Sequence, residues 1–518
     1  MQIDRPCIEA VTDGALDGSL LLVGDPGAGK SAVLSTAATR LKTSGYDVIE
    51  LAVDRLPVES LEGLRSELGL SHSLTDVLIN WPGDKPAFFF IDALDATRGG
   101  PSEAVFRALI SDVLALPGGR WRIIASIRTF DLRLGQQFRD LFHGAAPDLE
   151  FAAKSFSDVR HVHVPSWSEN ELGQVRAQAP QIDIALQAAG QRLHDLALVP
   201  FNTRLLADLI SDGLAPAAFG EISSQVELLD LYWRHRILKH GSSAEICLNA
   251  ALSEMIAARA LRARKLEVAK AEPAALDQLL GENVLILMEN DQFIGFRHHI
   301  LFDYAASRLY LRPDDLEQTA TLLQGTQGVG FLLAPALAFA LERLWADSRD
   351  GRTRFWNAVI RIAGDPQCDP VARSVAARTA SELPRTAEDI GGLIKGLSDQ
   401  DVHKSRVARA FGHVIGSIAV RLEDKQSVAV APWCELAAQA VPYVEAVLYP
   451  LRTLLFLLVE RIDSETQRDQ LGCAARAILE FALDHPTTSA QLTAKRSIQW
   501  QPPTVATSRL LDICCADY

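Results

Sequence analysis

The eight residues Gly24-Asp25-Pro26-Gly27-Ala28-Gly29-Lys30-Ser31 complete the pattern G-x-x-x-x-G-K-[ST], and they constrain the chain more than any other segment. The pattern carries its chemistry only between a strand and a helix. The apolar run Leu20-Leu21-Leu22-Val23 predicts the strand, and the Ala-rich stretch from Ala32 to Leu41, ending near Gly45, predicts the helix. Glycines let backbone N–H groups turn inward and the helix dipole favours negative charge. Lys30 then reaches terminal phosphates, and Ser31 offers its hydroxyl to Mg²⁺. Gly24, Asp25, Pro26, Gly27, Ala28, Gly29, Lys30, Ser31 and Ala32 are therefore the expected nucleotide cradle, with a nucleotide and Mg²⁺ as cofactors.

Up to residue 166, β-rich runs alternate with helical ones, which predicts an α/β domain built on a parallel sheet with helices on both faces. The expected strands are residues 19–24, 46–53, 87–91, 122–127 and 161–164, with helices such as 61–81 and 101–116 between them. Beyond that point helical periodicity takes over. One exception is residues 284–288 and 292–296, which read as a β-hairpin around the polar turn Glu289-Asn290-Asp291. Helices at 226–240, 244–264 and 274–280 precede the hairpin and one at 299–311 follows, the composition of a winged-helix domain. Pro313-Asp314-Asp315 reads as a boundary, and segments such as the one opening at Asp369-Pro370 look like units of a stacked helical array. The expected domains are 1–166, a small helical domain 167–222, a winged-helix domain 223–312 and a solenoid-like helical region 313–518.

A phosphate loop needs a carboxylate at the end of a neighbouring strand to hold Mg²⁺ through water. Phe88-Phe89-Phe90-Ile91 followed by Asp92 supplies it, and Asp95 lies three residues on, where it is expected to orient or deprotonate water. A third strand ends at Arg128, whose guanidinium is placed to distinguish a terminal phosphate by a charge-assisted hydrogen bond. Lys30, Asp92, Asp95 and Arg128 form the expected catalytic set, and Ser31 with Asp92 the expected metal site.

These residues, followed by Pro165-Ser166-Trp167-Ser168-Glu169-Asn170-Glu171-Leu172, resemble a STAND-class P-loop NTPase in its NACHT-like branch. The segment Leu198-Val199-Pro200-Phe201-Asn202-Thr203-Arg204 is similar to the start of that family's small helical domain, whose proline packs near the adenine. Phe296-Arg297-His298-His299-Ile300-Leu301-Phe302-Asp303 resembles its winged-helix signature, in which a histidine reaches a phosphate of bound ADP. Glu227 to Trp233 resembles the helix that opens that domain. The resemblance implies roles for Pro200 and His298 in nucleotide binding. It also implies a signalling switch, closed with ADP and open with ATP, that hydrolyses slowly and oligomerises on opening. The C-terminal helices would then sense a ligand or protein partner. Two departures stand out. The family's strand end reads Asp-Gly-x-Asp-Glu, whereas here it is Asp92-Ala93-Leu94-Asp95-Ala96, without the glutamate that activates water. Only some twenty residues precede the loop, so no effector domain is expected there. A constitutive ATPase of the AAA or kinase type, and a scaffold that keeps nucleotide as structural glue, are the competing readings.

Composition narrows the partners. A net charge of -14 argues against a general grip on nucleic acid or anionic membrane. The basic clusters Arg234-His235-Arg236 and 259–265 are helical faces rather than a DNA-reading surface. His161 and His163 alternate along a strand and read as packing residues. The seven scattered cysteines lack a C-x-x-C pair and fit a reducing compartment. With no secretory leader visible, and with the apolar stretch 329–341 too short to cross a bilayer, a cytoplasmic location is expected.

Overall fold

The computed structural model of the chain describes residues 3–485, apart from 57, 98–99, 289–290, 313–314, 325–328, 348–349, 399–402 and 424–425. Cys514-Cys515, most of the Glu289-Asn290-Asp291 turn and Pro313-Asp314 thus lie outside the described residues. The chain divides into two compact units, Met1–Tyr310 and Leu311–Tyr518.

The first unit is built on five strands, β1 (Leu20–Gly24), β2 (Asp47–Ala52), β3 (Ala87–Asp92), β4 (Trp121–Arg128) and β5 (His161–His163). All are parallel, in the order β2-β3-β4-β1-β5. Side chains alternate across the sheet, and both faces are covered, so the strands read as continuous apolar runs. Leu21, Val23, Phe89, Ile91, Ile123 and Ala125 enter one core, while Leu20, Leu22, Phe88, Phe90, Ile124 and Val162 enter the other. Phe88, Phe89 and Phe90 are fully buried, each contributing roughly 2–3 kcal/mol by removal of apolar surface from water. Helix α1 (Pro6–Asp17) and helix α2 (Lys30–Thr43) cover the second face.

The expected helix over 61–81 is instead two short ones, α3 (Leu61–Glu67) and α4 (Leu74–Ile79). Gly69 takes a φ of +64°, and the Ser73 hydroxyl accepts from the Asp76 N–H at 3.1 Å. A left-handed residue ends one helix and a new N-cap starts the next. Helix α5 (Ser102–Leu114) then leads to β4, followed by α6 (Thr129–Leu134) and α7 (Gln136–Leu141). After β5 come α8 (Glu169–Gln178), α9 (Pro180–Ala189), α10 (Gln191–Ala197) and α11 (Pro200–Ser211). Next are α12 (Gln225–Arg236) and α13 (Ser242–Ala258). The latter stops at Arg259, whose φ is +49°, six residues before its expected end at 264. Ala263–Arg264 instead forms β6, which with β7 (Leu285–Met288) and β8 (Phe293–Phe296) makes an antiparallel sheet in the order β6-β8-β7. Helices α14 (Lys265–Ala271) and α15 (Pro273–Gly281) precede the hairpin, and α16 (His299–Ala305) follows it before a π turn at Ala306–Tyr310.

The regular elements among the described residues of the second unit are helices, from Leu316–Gln324 to Glu465–Asp484. Val329–Ala346, Gly351–Ala363 and Pro370–Glu382 pack on one another. His403–Glu423 packs on Pro370–Glu382, and Val444–Leu458 packs on His403–Glu423 in turn. Asp369 caps the third of these helices, its Oδ1 accepting from the Val371 N–H at 2.8 Å. Val441–Leu458 alone among the described residues is long and apolar enough to cross a membrane. Within this unit its helix is kinked at Val447, carries Pro450, and buries Leu448, Leu451, Leu454 and Leu455 among its neighbours.

Candidate functional site

The loop expected to cradle phosphate joins β1 directly to α2, with Gly29 at the N-cap in a left-handed conformation (φ +90°, ψ 24°). Gly27 also has a positive φ, +80°. A Cβ there would lie 2.7 Å from Phe201 Cβ and 3.2 Å from Ile300 Cδ1. Glycine at 27 is thus needed for the turn and for the close approach of α11 and α16. The Lys30 ammonium donates to the carbonyls of Gly24 at 2.9 Å and Asp25 at 3.1 Å. Burial pushes Lys30 below its ordinary value, and the carboxylates of Asp95, Asp25 and Asp92 work against that shift. Asp25, Pro26, Ser31 and Ala32 are exposed, whereas Gly24 and Ala28 are buried. Ser31 is therefore accessible, as the role expected of it requires.

Asp92 ends β3 half-buried, with Oδ1 accepting a short hydrogen bond from the Ser126 hydroxyl. Ser126 Oγ in turn accepts from the Ala93 N–H at 2.8 Å. Ala93 has a φ of +61°, so it holds, without a glycine, the left-handed backbone that turns the chain after β3. One carboxylate oxygen of Asp92 is thus fixed by the neighbouring strand.

Asp95 and Arg128 meet. Arg128 Nε lies 2.6 Å from Asp95 Oδ2, and each side chain is 5% exposed. On its other side Arg128 Nη1 donates to Asp303 Oδ2 of α16 at 3.1 Å. Burial penalises the charge on Arg128, but Asp95, Asp303 and Asp131 outweigh it and raise its affinity for the proton. Burial likewise opposes ionisation of Asp95; Arg128, His299 and Lys30 overcome it and hold the carboxyl far below the usual range. His299 Nδ1 lies 3.9 Å from Asp95 and its Nε2 3.6 Å from Asp54. Burial lowers the His299 imidazole, yet Asp54 and Asp95 win and raise it to about 9.

Pro200 opens α11 beside the loop, its ring carbon 3.7 Å from where a Cβ of Gly29 would stand. His298 sits edge-on to Phe201, ring centroids 5.5 Å apart, and its buried Nε2 has no hydrogen-bond partner among the described residues. Burial, then Arg204, Arg297 and His299, push it down to about 4. A neutral imidazole with an unused buried nitrogen beside Phe201 fits a ligand's polar atom.

Several residues here carry no local sequence signal. Arg5 donates to the Ala28 carbonyl at 2.8 Å, and nothing around it in sequence marks that role. Asp54 is one acidic residue among many in its stretch. Ser126 is the better case, a lone hydroxyl inside the apolar run of residues 123–127. Asp303 and His299 lie in a segment whose family resemblance points at His298 alone. Other candidates resolve into packing. The His161 Nε2 accepts from the Ala153 N–H at 2.8 Å while Nδ1 donates to the Val159 carbonyl, also at 2.8 Å, and the residue is buried. Arg236 is buried against Asp212, with Nε–Oδ2 2.6 Å. Among the described residues no three His, Cys, Asp or Glu side chains cluster to hold a metal ion.

No family model and no curated protein matches the chain. Among solved structures it is similar to a Walker-type ATPase of Pyrococcus abyssi. The two are 14% identical over 59% of this chain and 96% of that one, with a TM-score of 0.29. The first unit is a P-loop NTPase fold by its own strand, loop, helix and parallel sheet.

Proposed function

We propose that the first unit binds an adenine nucleotide with Mg²⁺ and works as a slowly hydrolysing switch of the STAND class, in its NACHT-like branch. One observation carries this reading: Arg128, at the strand end where a terminal phosphate is read, is held by Asp303 from α16. A carboxylate and a phosphate compete for the charge of the same guanidinium, so the bond to Asp303 weakens contact with a terminal phosphate. A nucleotide shifts a conformational equilibrium only through such differential contacts.

In this reading the loop from Gly24 to Ala32 holds the phosphates, and Ser31 and Asp92 hold Mg²⁺, Asp92 through water. The metal would neutralise charge on the phosphates. Ser126 fixes one oxygen of Asp92 and leaves the other for that task. Pro200 and His298 close the pocket from two later modules, the second a winged helix formed by α12 to α16 with β6, β7 and β8. Asp95 is ionised and bound to Arg128, so it is a poor base while that pair lasts. Ala96, buried where the family has glutamate, adds no second one. Both features favour holding a state over turnover. The helices of the second unit, read as a repeat array, would sense a ligand or protein, with homo-oligomerisation on opening and action in the cytoplasm.

The test is the identity of the nucleotide that copurifies with the chain, with the mass in solution before and after ATP and Mg²⁺. ADP retention and an increase in mass with ATP are expected. Rapid hydrolysis without a partner and without change of mass overturns the switch in favour of a constitutive ATPase.

A further inference from the structure

The Ala28–Gly29 peptide is gripped from outside the loop by a residue that no motif includes. Arg5 uses three of its donors: Nη1 on the Ala28 carbonyl at 2.8 Å, Nη2 on the Pro165 carbonyl at 2.7 Å, and Nε on Glu171 Oε1 at 2.7 Å. The Arg5 and Glu171 side chains are each 6% exposed. Glu171 Oε2 accepts in turn from the Ser168 N–H at 2.7 Å and hydroxyl at 2.8 Å, completing the capping box of α8. One guanidinium thus joins the phosphate loop, the segment after β5 and the first turn of α8. Lysine cannot reproduce a planar fork that bonds in three directions.

In a trans peptide the carbonyl and the N–H point in opposite directions. By drawing the Ala28 carbonyl toward itself, Arg5 turns the Gly29 N–H the other way. Backbone N–H groups of such a loop are what binds phosphate. The preceding peptide is tied at both ends, its carbonyl accepting from the Phe201 N–H at 3.1 Å and its N–H donating to the Asp25 carbonyl at 3.2 Å. Two successive carbonyls are therefore pinned, one by α11 and one by Arg5.

We propose that Arg5 is a positioning residue of the nucleotide site: it sets phosphate affinity through the orientation of the Ala28–Gly29 peptide and ties that orientation to the cap of α8. The inference rests on the reading of the loop as a nucleotide site. Arg5→Met alone leaves Glu171 buried and unpaired and lowers stability for that reason. The informative protein is the double variant Arg5→Met with Glu171→Gln, which keeps net charge and removes the orphaned carboxylate.

ADP and ATP affinities of the wild type, Arg5→Met, Glu171→Gln and the double variant are measured by titration calorimetry on the full chain, alongside melting temperature. The double variant is expected to melt closer to wild type than Arg5→Met does, and to bind both nucleotides about 10-fold more weakly than wild type. Glu171→Gln, which keeps the bond to Ala28, is expected to bind within about 3-fold of wild type. A double variant that recovers affinity together with stability overturns the positioning role and leaves the nucleotide reading intact. A wild-type chain that binds neither nucleotide overturns both.

Discussion

Arg128 Nη1 and Asp303 Oδ2 lie 3.1 Å apart across 175 positions of sequence, in a pair of which the two side chains are 5% and 1% exposed. A pair buried this deeply is weak evidence for stability, because desolvation consumes much of the Coulomb gain. It is better suited to exchange. Asp95 holds the other side of the guanidinium at 2.6 Å, so Arg128 stays paired if α16 withdraws.

Asp303→Asn tests that exchange. The substitution keeps the shape and removes the competing charge, so stability is expected to fall by about 1–3 kcal/mol. ATP affinity is expected to rise relative to ADP by about 5-fold or more, as the terminal phosphate no longer competes with a carboxylate for the charge of Arg128. Denaturant unfolding and calorimetric titration read the two effects. An unchanged ratio of ATP to ADP affinity removes Asp303 from the switch.

His299 gives the same region a pH dependence. Its imidazole is raised from 6.5 to about 9, with burial opposing the shift and Asp54 and Asp95 producing it. The folded chain therefore holds the proton more tightly than the unfolded one. The resulting stabilisation is fully present below pH 6.5, declines as pH rises, and is gone above about 9. Its upper bound is roughly 3 kcal/mol, from the size of that shift. Melting temperatures of wild type and His299→Gln should differ most near pH 6 and converge by pH 9.5 on the same footing (about half a unit past the shifted value). Curves that stay parallel over that range count against an ionised His299 between Asp54 and Asp95.

What the sequence made legible follows from the range of the physics involved. The loop at 24–31 and the strands around it are local patterns, and the parallel sheet carries them at the expected places. Lys30, Asp92, Asp95 and Arg128 are brought together, since the charges of Asp95, Arg128 and Asp92 all act on Lys30. The pairing of Asp95 with Arg128, in contrast, needs β3 and β4 to be neighbours. That depends on sheet order, which no local pattern encodes. Arg5 and Glu171 are further apart still, and only the folded chain joins them. The breaks at Gly69 and Arg259 leave no sequence pattern for a different reason: helical periodicity continues through both, and a single left-handed residue overrides it.

Ala93 offers a test of backbone strain. Its φ of +61° places a Cβ in the region that glycine occupies freely, where the Cβ crowds the following carbonyl. Ala93→Gly relieves that contact and adds some unfolded-state entropy, for a net gain of up to about 1 kcal/mol. The denaturant midpoint should rise, with Asp92 and its bond to Ser126 undisturbed. A lower midpoint contradicts a left-handed Ala93.

Lys30→Ala separates nucleotide binding from folding. The ammonium is held by the Gly24 and Asp25 carbonyls and stands among Asp25, Asp92 and Asp95. Its loss leaves those carboxylates facing one another with only Arg128 and His299 to balance them. The variant gives up two hydrogen bonds but also a charge that burial penalises, so stability should change by no more than about 1 kcal/mol, with Asp95 keeping its 2.6 Å bond to Arg128. Nucleotide affinity should fall far more, by about 100-fold or greater, since a charge-assisted contact to phosphate is lost and acidic repulsion replaces it. Mass spectrometry of the purified variant should detect no retained ADP. A folded Lys30→Ala chain that still copurifies with ADP removes the loop from nucleotide binding.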